Sequence, residues 1–248
     1  MSDSEPVYFS LDVESSGLTP GTGRLLTVGI AAISHDYQII GTYYGRINRT
    51  SQLLDVGWWE DRKRTSMPTD PTRYISDTHV WWSQQSAEAQ GEAYGFAEDH
   101  RERKLPSTIA AEVVEFAQSF GKEWKDRILV ADPVAFDSMW LVSLFDDANA
   151  RSRRMLEDTF FEPPFHYHSL DIHSMRLGCG LTFDDGAFNL HEGRTLLKHH
   201  ALDDAISQAL EFIAVSTHIE SVASRRQRAK DDFAKFLDGA PMTDGGAS

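Results

Sequence analysis

Cysteine is nearly absent from this chain of 248 residues: Cys179, in Leu177-Gly178-Cys179-Gly180, is the single thiol. One cysteine excludes an intramolecular disulfide and suits a reducing cytoplasm. No apolar run is long enough to span a bilayer. The start, Met1-Ser2-Asp3-Ser4-Glu5-Pro6, lacks the basic and apolar regions of a signal peptide. A cytoplasmic location with no membrane partner is therefore expected. Basic residues are also scarce, 24 Lys and Arg against 38 Asp and Glu, for a net charge of −14. That balance argues against strong nonspecific duplex binding, which rests on many Lys/Arg–phosphate pairs. It does not exclude a protein that holds only a strand end. The 41% hydrophobic content is enough for one large domain with a real core.

What is present is acid in unusual places. Val7-Tyr8-Phe9-Ser10-Leu11-Asp12-Val13-Glu14 is too apolar and β-branched for a surface loop, and Ser15-Ser16-Gly17 ends it as a turn. Residues two apart on a strand share a face, so Asp12 and Glu14 project into one small volume. Crowded, poorly hydrated carboxylates repel one another and call for a cation, a hard divalent ion being the natural one. The alternative is a strand whose acids sit at its exposed end. A second segment, Ile128-Leu129-Val130-Ala131-Asp132-Pro133-Val134-Ala135-Phe136-Asp137, reads as a strand broken at Asp132-Pro133. A helix follows over 137–147, with Trp140, Leu141, Leu144 and Phe145 on one face and Asp137 at its start. Asp137 faces the strand end it has just left, or simply caps the helix. A third segment, His199-His200-Ala201-Leu202-Asp203-Asp204, opens a helix with apolar spacing from Leu202 to about Thr217. It places Asp204 in the first turn or two and His199 at the entrance.

These segments together resemble the DEDDh 3′-5′ exonucleases of the ribonuclease H-like superfamily: Asp12 with Glu14, Asp137 in Ala135-Phe136-Asp137, and His199 five positions before Asp204. The likeness spans roughly residues 7–214. It departs from the family at Asp132-Pro133, where His-Asn is common. Spacing selects His199 over His200 and Asp204 over Asp203, which is expected to be exposed or helix-capping. Thr78-His79-Val80-Trp81-Trp82-Ser83-Gln84-Gln85 further resembles a Trp-Trp-x-x-Gln segment of mycobacterial and phage exoribonucleases or exonucleases.

The resemblance implies an α/β fold: a ribonuclease H-like mixed, five-stranded sheet flanked by helices, in a single domain with a helical insertion. It also implies release of nucleoside 5′-monophosphates from a single-stranded RNA or DNA 3′ end, RNA being favoured. Asp12, Glu14, Asp137 and Asp204 would hold two Mg2+ ions, with Mn2+ able to substitute. His199 would be the general base. Ser15, Ser16, Gly17 and Leu18 would line the terminal-nucleotide pocket; Gly17 serves the turn on the alternative reading. Apart from the resemblance, Trp81 and Trp82 read either as base-stacking surfaces or as core or subunit packing, since adjacent residues on a helix cannot both face one groove. A homodimer is implied by resemblance alone.

The expected organisation is a flexible N-terminus at 1–6, an exonuclease domain over 7–222 with an insertion at about 49–105, a basic helical extension over 223–238 and a disordered tail at 239–248. Strands are expected at 25–34, 37–47 and 127–131 and near Ser169–Ile172, with helices around Thr78–Gln90 and at 107–120. The basic clusters Arg62-Lys63-Arg64, Arg101–Lys104, Arg151–Arg154 and Arg225–Lys230 read as solvated surface. His166, His168 and His173 resemble a zinc cluster, but without a Cys partner they read as partly exposed strand residues. Asp171 reads as an ordinary strand or turn acid.

Overall fold

The computed structural model describes residues 5–21, 23–48, 77–94, 103–155, 160–184 and 187–239. The insertion segments 49–76 and 95–102, with the cluster Arg62-Lys63-Arg64, lie outside them, as do the tail residues 240–248.

Strand β2 (Leu25–Ile33) is buried at every position, as an almost wholly apolar strand must be when helices cover both faces. It pairs antiparallel with β1 (Val7–Ser15) and with β3 (Ile39–Arg46). β4 (Arg127–Ala131) and β5 (Ser169–Asp171) add in parallel, giving the order β3-β2-β1-β4-β5. This is the mixed five-stranded sheet expected, with helices on both faces. On one face, Phe9, Leu11 and Val13 meet Ile109 and Val113 of α3 (Pro106–Phe120) and Trp140, Leu144 and Phe145 of α4 (Val134–Met155). On the other, Ala31, Ile33 and Val130 meet Ile172 of α5 (Ile172–Cys179) and Ile206, Ala209 and Phe212 of α6 (Ala201–Gly239). Among the described residues no helix is long and apolar enough to cross a membrane.

Four local readings of the sequence are corrected. The helix expected from 137 begins at Val134, so Asp137 lies inside its first turn rather than capping it. The helix expected over Thr78–Gln90 is two, α1 (Asp77–Ser83) and α2 (Ala87–Tyr94), interrupted at Gln84–Ser86. The helix from the third motif and the basic extension form one continuous α6. His166 and His168 precede β5, and His173 lies in α5. There Asp171 is the N-cap, accepting the Ser174 N–H at 2.8 Å, and Gly180 closes the C-terminus at φ 66°.

The start of α6 is seated on β2 through Gly29, which lies opposite Asp12 in the β1–β2 register. A Cβ there would come within 2.2 Å of the Ala201 carbonyl carbon and oxygen, backbone that cannot swing aside. Gly29→Ala is expected to push α6 off the sheet and destabilise the fold by about 1–3 kcal/mol, as overpacking does. Thermal denaturation measures the loss, and an unchanged midpoint would show that α6 is not held here.

Candidate active site

The even-numbered side chains of β1 face α6, and the two elements match in pitch. Two strand residues advance about 6.6 Å and four helical residues about 6 Å, so Asp12 and Glu14 meet Gln208 and Asp204. Gln208 Nε2 donates to Asp12 Oδ1 at 2.8 Å. Glu14, His199 and Asp204 each place one ligand-type atom within 4.8 Å of the others. Farther along, Tyr8 packs on Phe212 with ring centroids 4.9 Å apart.

Asp137 arrives from the opposite helical layer. The β1–β4 pairing ends at Ser10↔Val130, which leaves the Val13 N–H without a ladder partner on that side, and Asp137 Oδ1 accepts it at 3.1 Å. Asp137 is buried.

His199 sits just before α6 at φ 63°, a left-handed conformation that a non-glycine residue adopts at a cost. Two contacts hold it there. Its N–H donates to Asp204 Oδ2 at 2.7 Å, and its ring lies 4.6 Å from that of Trp81, nearly edge-on. The adjacent tryptophans of α1 have separate tasks. Trp82 is buried with Leu26, Ala89 and Ala93, and its Nε1–H donates to the Ser15 carbonyl at 2.9 Å. Trp81 is 38% exposed and covers His199.

The electrostatics are those of crowded, buried negative charge. Asp12 is pushed well above the usual carboxylate range by burial, then by Asp137, Glu14 and Asp204, with the Gln208 amide opposing. Glu14 is raised by burial, then by Asp204 and Asp137. Burial lifts Asp137 to about 8 and Asp204 to about 6. Among the described residues no Lys or Arg forms an ion pair with any of the four. Burial, then Lys198, lowers the His199 pKa. Lys198 opposes the rise at Asp204 without forming an ion pair with it. Four acids with no ion-paired Lys or Arg among the described residues, beside one imidazole, are a donor set suited to hard divalent cations.

The residues of the expected nucleotide pocket are arranged as a tight turn. Ser15 Oγ donates to the Gly17 carbonyl at 2.7 Å, and Ser16 Oγ accepts the Arg24 N–H at 2.9 Å. A Cβ on Gly23 would stand 2.4 Å from Gly17 Cα, so this pair makes a close backbone approach. Leu18 is 68% exposed beside them.

Asp203 is neither exposed nor a cap. It is buried, holds Arg194 through bonds of 2.7 and 2.6 Å, and accepts the Leu197 N–H at 2.7 Å. This ties the β6 (Leu190–His191) and β7 (Arg194–Thr195) hairpin to α6. His200 accepts the Asp203 N–H at 3.3 Å and lies against Tyr44 with centroids 4.5 Å apart. Arg103 is buried, not solvated, and donates to the carbonyls of Ile47 and Ala93. His166 and His168 join Trp124 and Tyr167 in a surface aromatic cluster, and His173 Nδ1 lies 2.9 Å from Arg176.

The model of the 3′-5′ exoribonuclease Rv2179c-like domain matches residues 7–215. The chain belongs to this family. The match runs through all three acidic segments of the Rv2179c-like domain, from β1 into α6. Comparison with curated proteins gives no match. Among solved structures, exonuclease I without ligand aligns at 13% identity and a TM-score of 0.47, over 86% of this chain and 42% of that one. The metal-free complex of E. coli exonuclease I with single-stranded DNA aligns at 14% identity and a TM-score of 0.48, over 89% and 41%. The E. coli enzyme with a dT13 oligonucleotide gives 14%, 0.46, 92% and 43%. The chain thus spans less than half the length of these structures.

Proposed function

We propose that this chain is a divalent-metal-dependent 3′-5′ exonuclease that releases nucleoside 5′-monophosphates from single-stranded ends, with RNA preferred over DNA. The observation that carries the reading is the meeting of Asp12, Glu14, Asp137 and Asp204 beside His199, with no Lys or Arg ion-paired to any of the four among the described residues. The preference for RNA rests on the family, whose domain is described as an exoribonuclease.

The four carboxylates would hold two Mg2+ ions, with Mn2+ able to substitute. Such a pair would supply charge neutralisation at the phosphoryl and leaving oxygens and lower the proton affinity of the attacking water. His199 takes the proton from that water at a ring nitrogen. Its lowered pKa keeps the nitrogen unprotonated at neutral pH, and the Asp204 bond and Trp81 fix its position. Water oxygen bonds to phosphorus, the bond from phosphorus to the preceding O3′ breaks, and that oxygen takes a proton from solvent, to which His199 returns the one it removed. The released nucleoside keeps the 5′-phosphate. Trp81 and Leu18 offer exposed apolar surface to the terminal base, and Ser15, Ser16 and Gly17 shape the turn beneath it.

The test is a time course on end-labelled single-stranded RNA and matched DNA, with Mg2+, Mn2+ or chelator. Stepwise shortening from the 3′ end, faster on RNA and stopped by chelator, is expected. Faster loss of the DNA strand would reverse the sugar preference, and strand binding without shortening would leave a binding module in place of an enzyme.

A further inference from the structure

Gln208 belongs to no motif, yet it joins three parts of the fold. It lies one helical turn past Asp204 on α6, on the same side of the helix. Its Nε2–H donates to Asp12 Oδ1 at 2.8 Å, and its Oε1 accepts the Asp132 N–H at 3.2 Å. The second bond sets the orientation of the first. A backbone N–H can only donate, so the amide oxygen must face Asp132 and the NH2 group must face Asp12. The amide therefore cannot flip, and it meets Asp12 only as a donor.

We infer that Gln208 is a positioning residue for the metal-dependent reaction: it holds the Asp12 carboxylate by one oxygen, in one rotamer, and leaves Oδ2 to a divalent cation. Among the described residues Gln208 is the donor to the Asp12 side chain. Without it, a carboxylate pressed by Glu14, Asp137 and Asp204 turns away from them and must be reoriented each time a cation binds. Groups that orient metal ligands in this way typically change affinity or activity by about 10–100-fold when removed. The Asp132 anchor also gives the departure from His-Asn at Asp132-Pro133 a clear place: its backbone reaches the site through Gln208, while its side-chain charge acts on Asp137.

This inference rests on the function proposed above, so its test reads cation binding as well as turnover. Gln208→Met and Gln208→Glu are compared with the full wild-type chain for Mg2+-induced thermal shift, Mg2+ half-saturation of RNA shortening, kcat, and KM for the strand. In Gln208→Met the Mg2+ requirement is expected to rise about 10–100-fold by both the thermal and the kinetic readout, kcat at saturating Mg2+ to fall, and KM for RNA to stay unchanged. Gln208→Glu keeps the acceptor for the Asp132 N–H but offers Asp12 a second carboxylate instead of a donor. Its kcat at saturating Mg2+ should stay as low as that of Gln208→Met.

A Gln208→Glu enzyme with wild-type kcat would place the residue's importance in the Asp132 bond and overturn the inference. So would a Gln208→Met protein whose metal-free stability falls while its Mg2+ titration is unmoved, since that is the mark of a structural stitch. A wild type that shows the thermal shift but shortens no strand removes the exonuclease reading, and the inference is then decided by the thermal titration alone. A wild type that binds no divalent cation overturns both.

Discussion

Asp12→Asn is expected to destroy strand shortening while making the metal-free protein more stable. Asparagine keeps the shape, and its side-chain oxygen still accepts from Gln208, so the fold loses nothing it needs. What disappears is one negative charge from a buried group of four. Relieving that repulsion should raise the metal-free denaturation midpoint by about 2–4 °C, the shift that roughly 1 kcal/mol produces in a domain of this size.

The effect depends on pH with a definite sign. Asp12 and Asp137 have folded-state pKa values raised above their unfolded values near 4. Such groups bind protons in the folded chain that the unfolded chain has already released. Their contribution to stability is therefore complete below about pH 4 and is lost as pH rises toward the raised value, about 8 for Asp137. His199 and His200, whose pKa values are lowered, act in the opposite direction below about pH 6.5. A comparison between about pH 7.5 and 9 isolates the acids, because unfolded histidine has released its proton by then. Over that range the metal-free wild type should lose stability, and Asp12→Asn should lose less.

Mg2+ should reverse the ranking. It stabilises the wild type by about 2.7 kcal/mol when present at a hundred times its dissociation constant, and it should do little for the variant. A variant less stable than wild type in chelator, or one stabilised equally by Mg2+, would show that these acids do not form a shared cation site.

Much of this site is legible in the sequence because the residues that form it obey local rules. Strand alternation puts Asp12 and Glu14 on one face. The start of α6 fixes which of Asp203 and Asp204 turns inward to them and which turns toward Arg194. Asp137 is legible only in part: the helix starts three residues earlier than its apolar pattern suggests, and the reason it points to β1 is an unpaired N–H at Val13. Gln208 is not legible at all, since its partners lie 196 and 76 residues away. The left-handed turn at His199 is equally hidden, because the enrichment of histidine in that region is too weak to mark a single position. By contrast, α5 was marked in advance by Asp171 three residues before Ser174 and by Gly180 at its end.

His199→Ala should separate chemistry from metal binding. The His199 N–H that holds Asp204 belongs to the backbone and survives the substitution, as do all four carboxylates. Alanine at φ 63° is no less strained than histidine, so the turn keeps its cost but loses the contact with Trp81. Mg2+ should therefore still raise the denaturation midpoint, while turnover falls by about 10²–10⁴-fold, the usual contribution of a positioned general base. The pH profile gives a second readout. In the wild type, activity should fall with acid as the imidazole protonates, at a pH below the ordinary histidine value because burial and Lys198 lower it. In the variant that limb should vanish, leaving a residual rate carried by water alone. Retention of wild-type turnover would remove His199 as the base. Loss of the Mg2+-induced shift would make its ring a metal ligand, the role open to it from its place within 4.8 Å of Glu14 and Asp204.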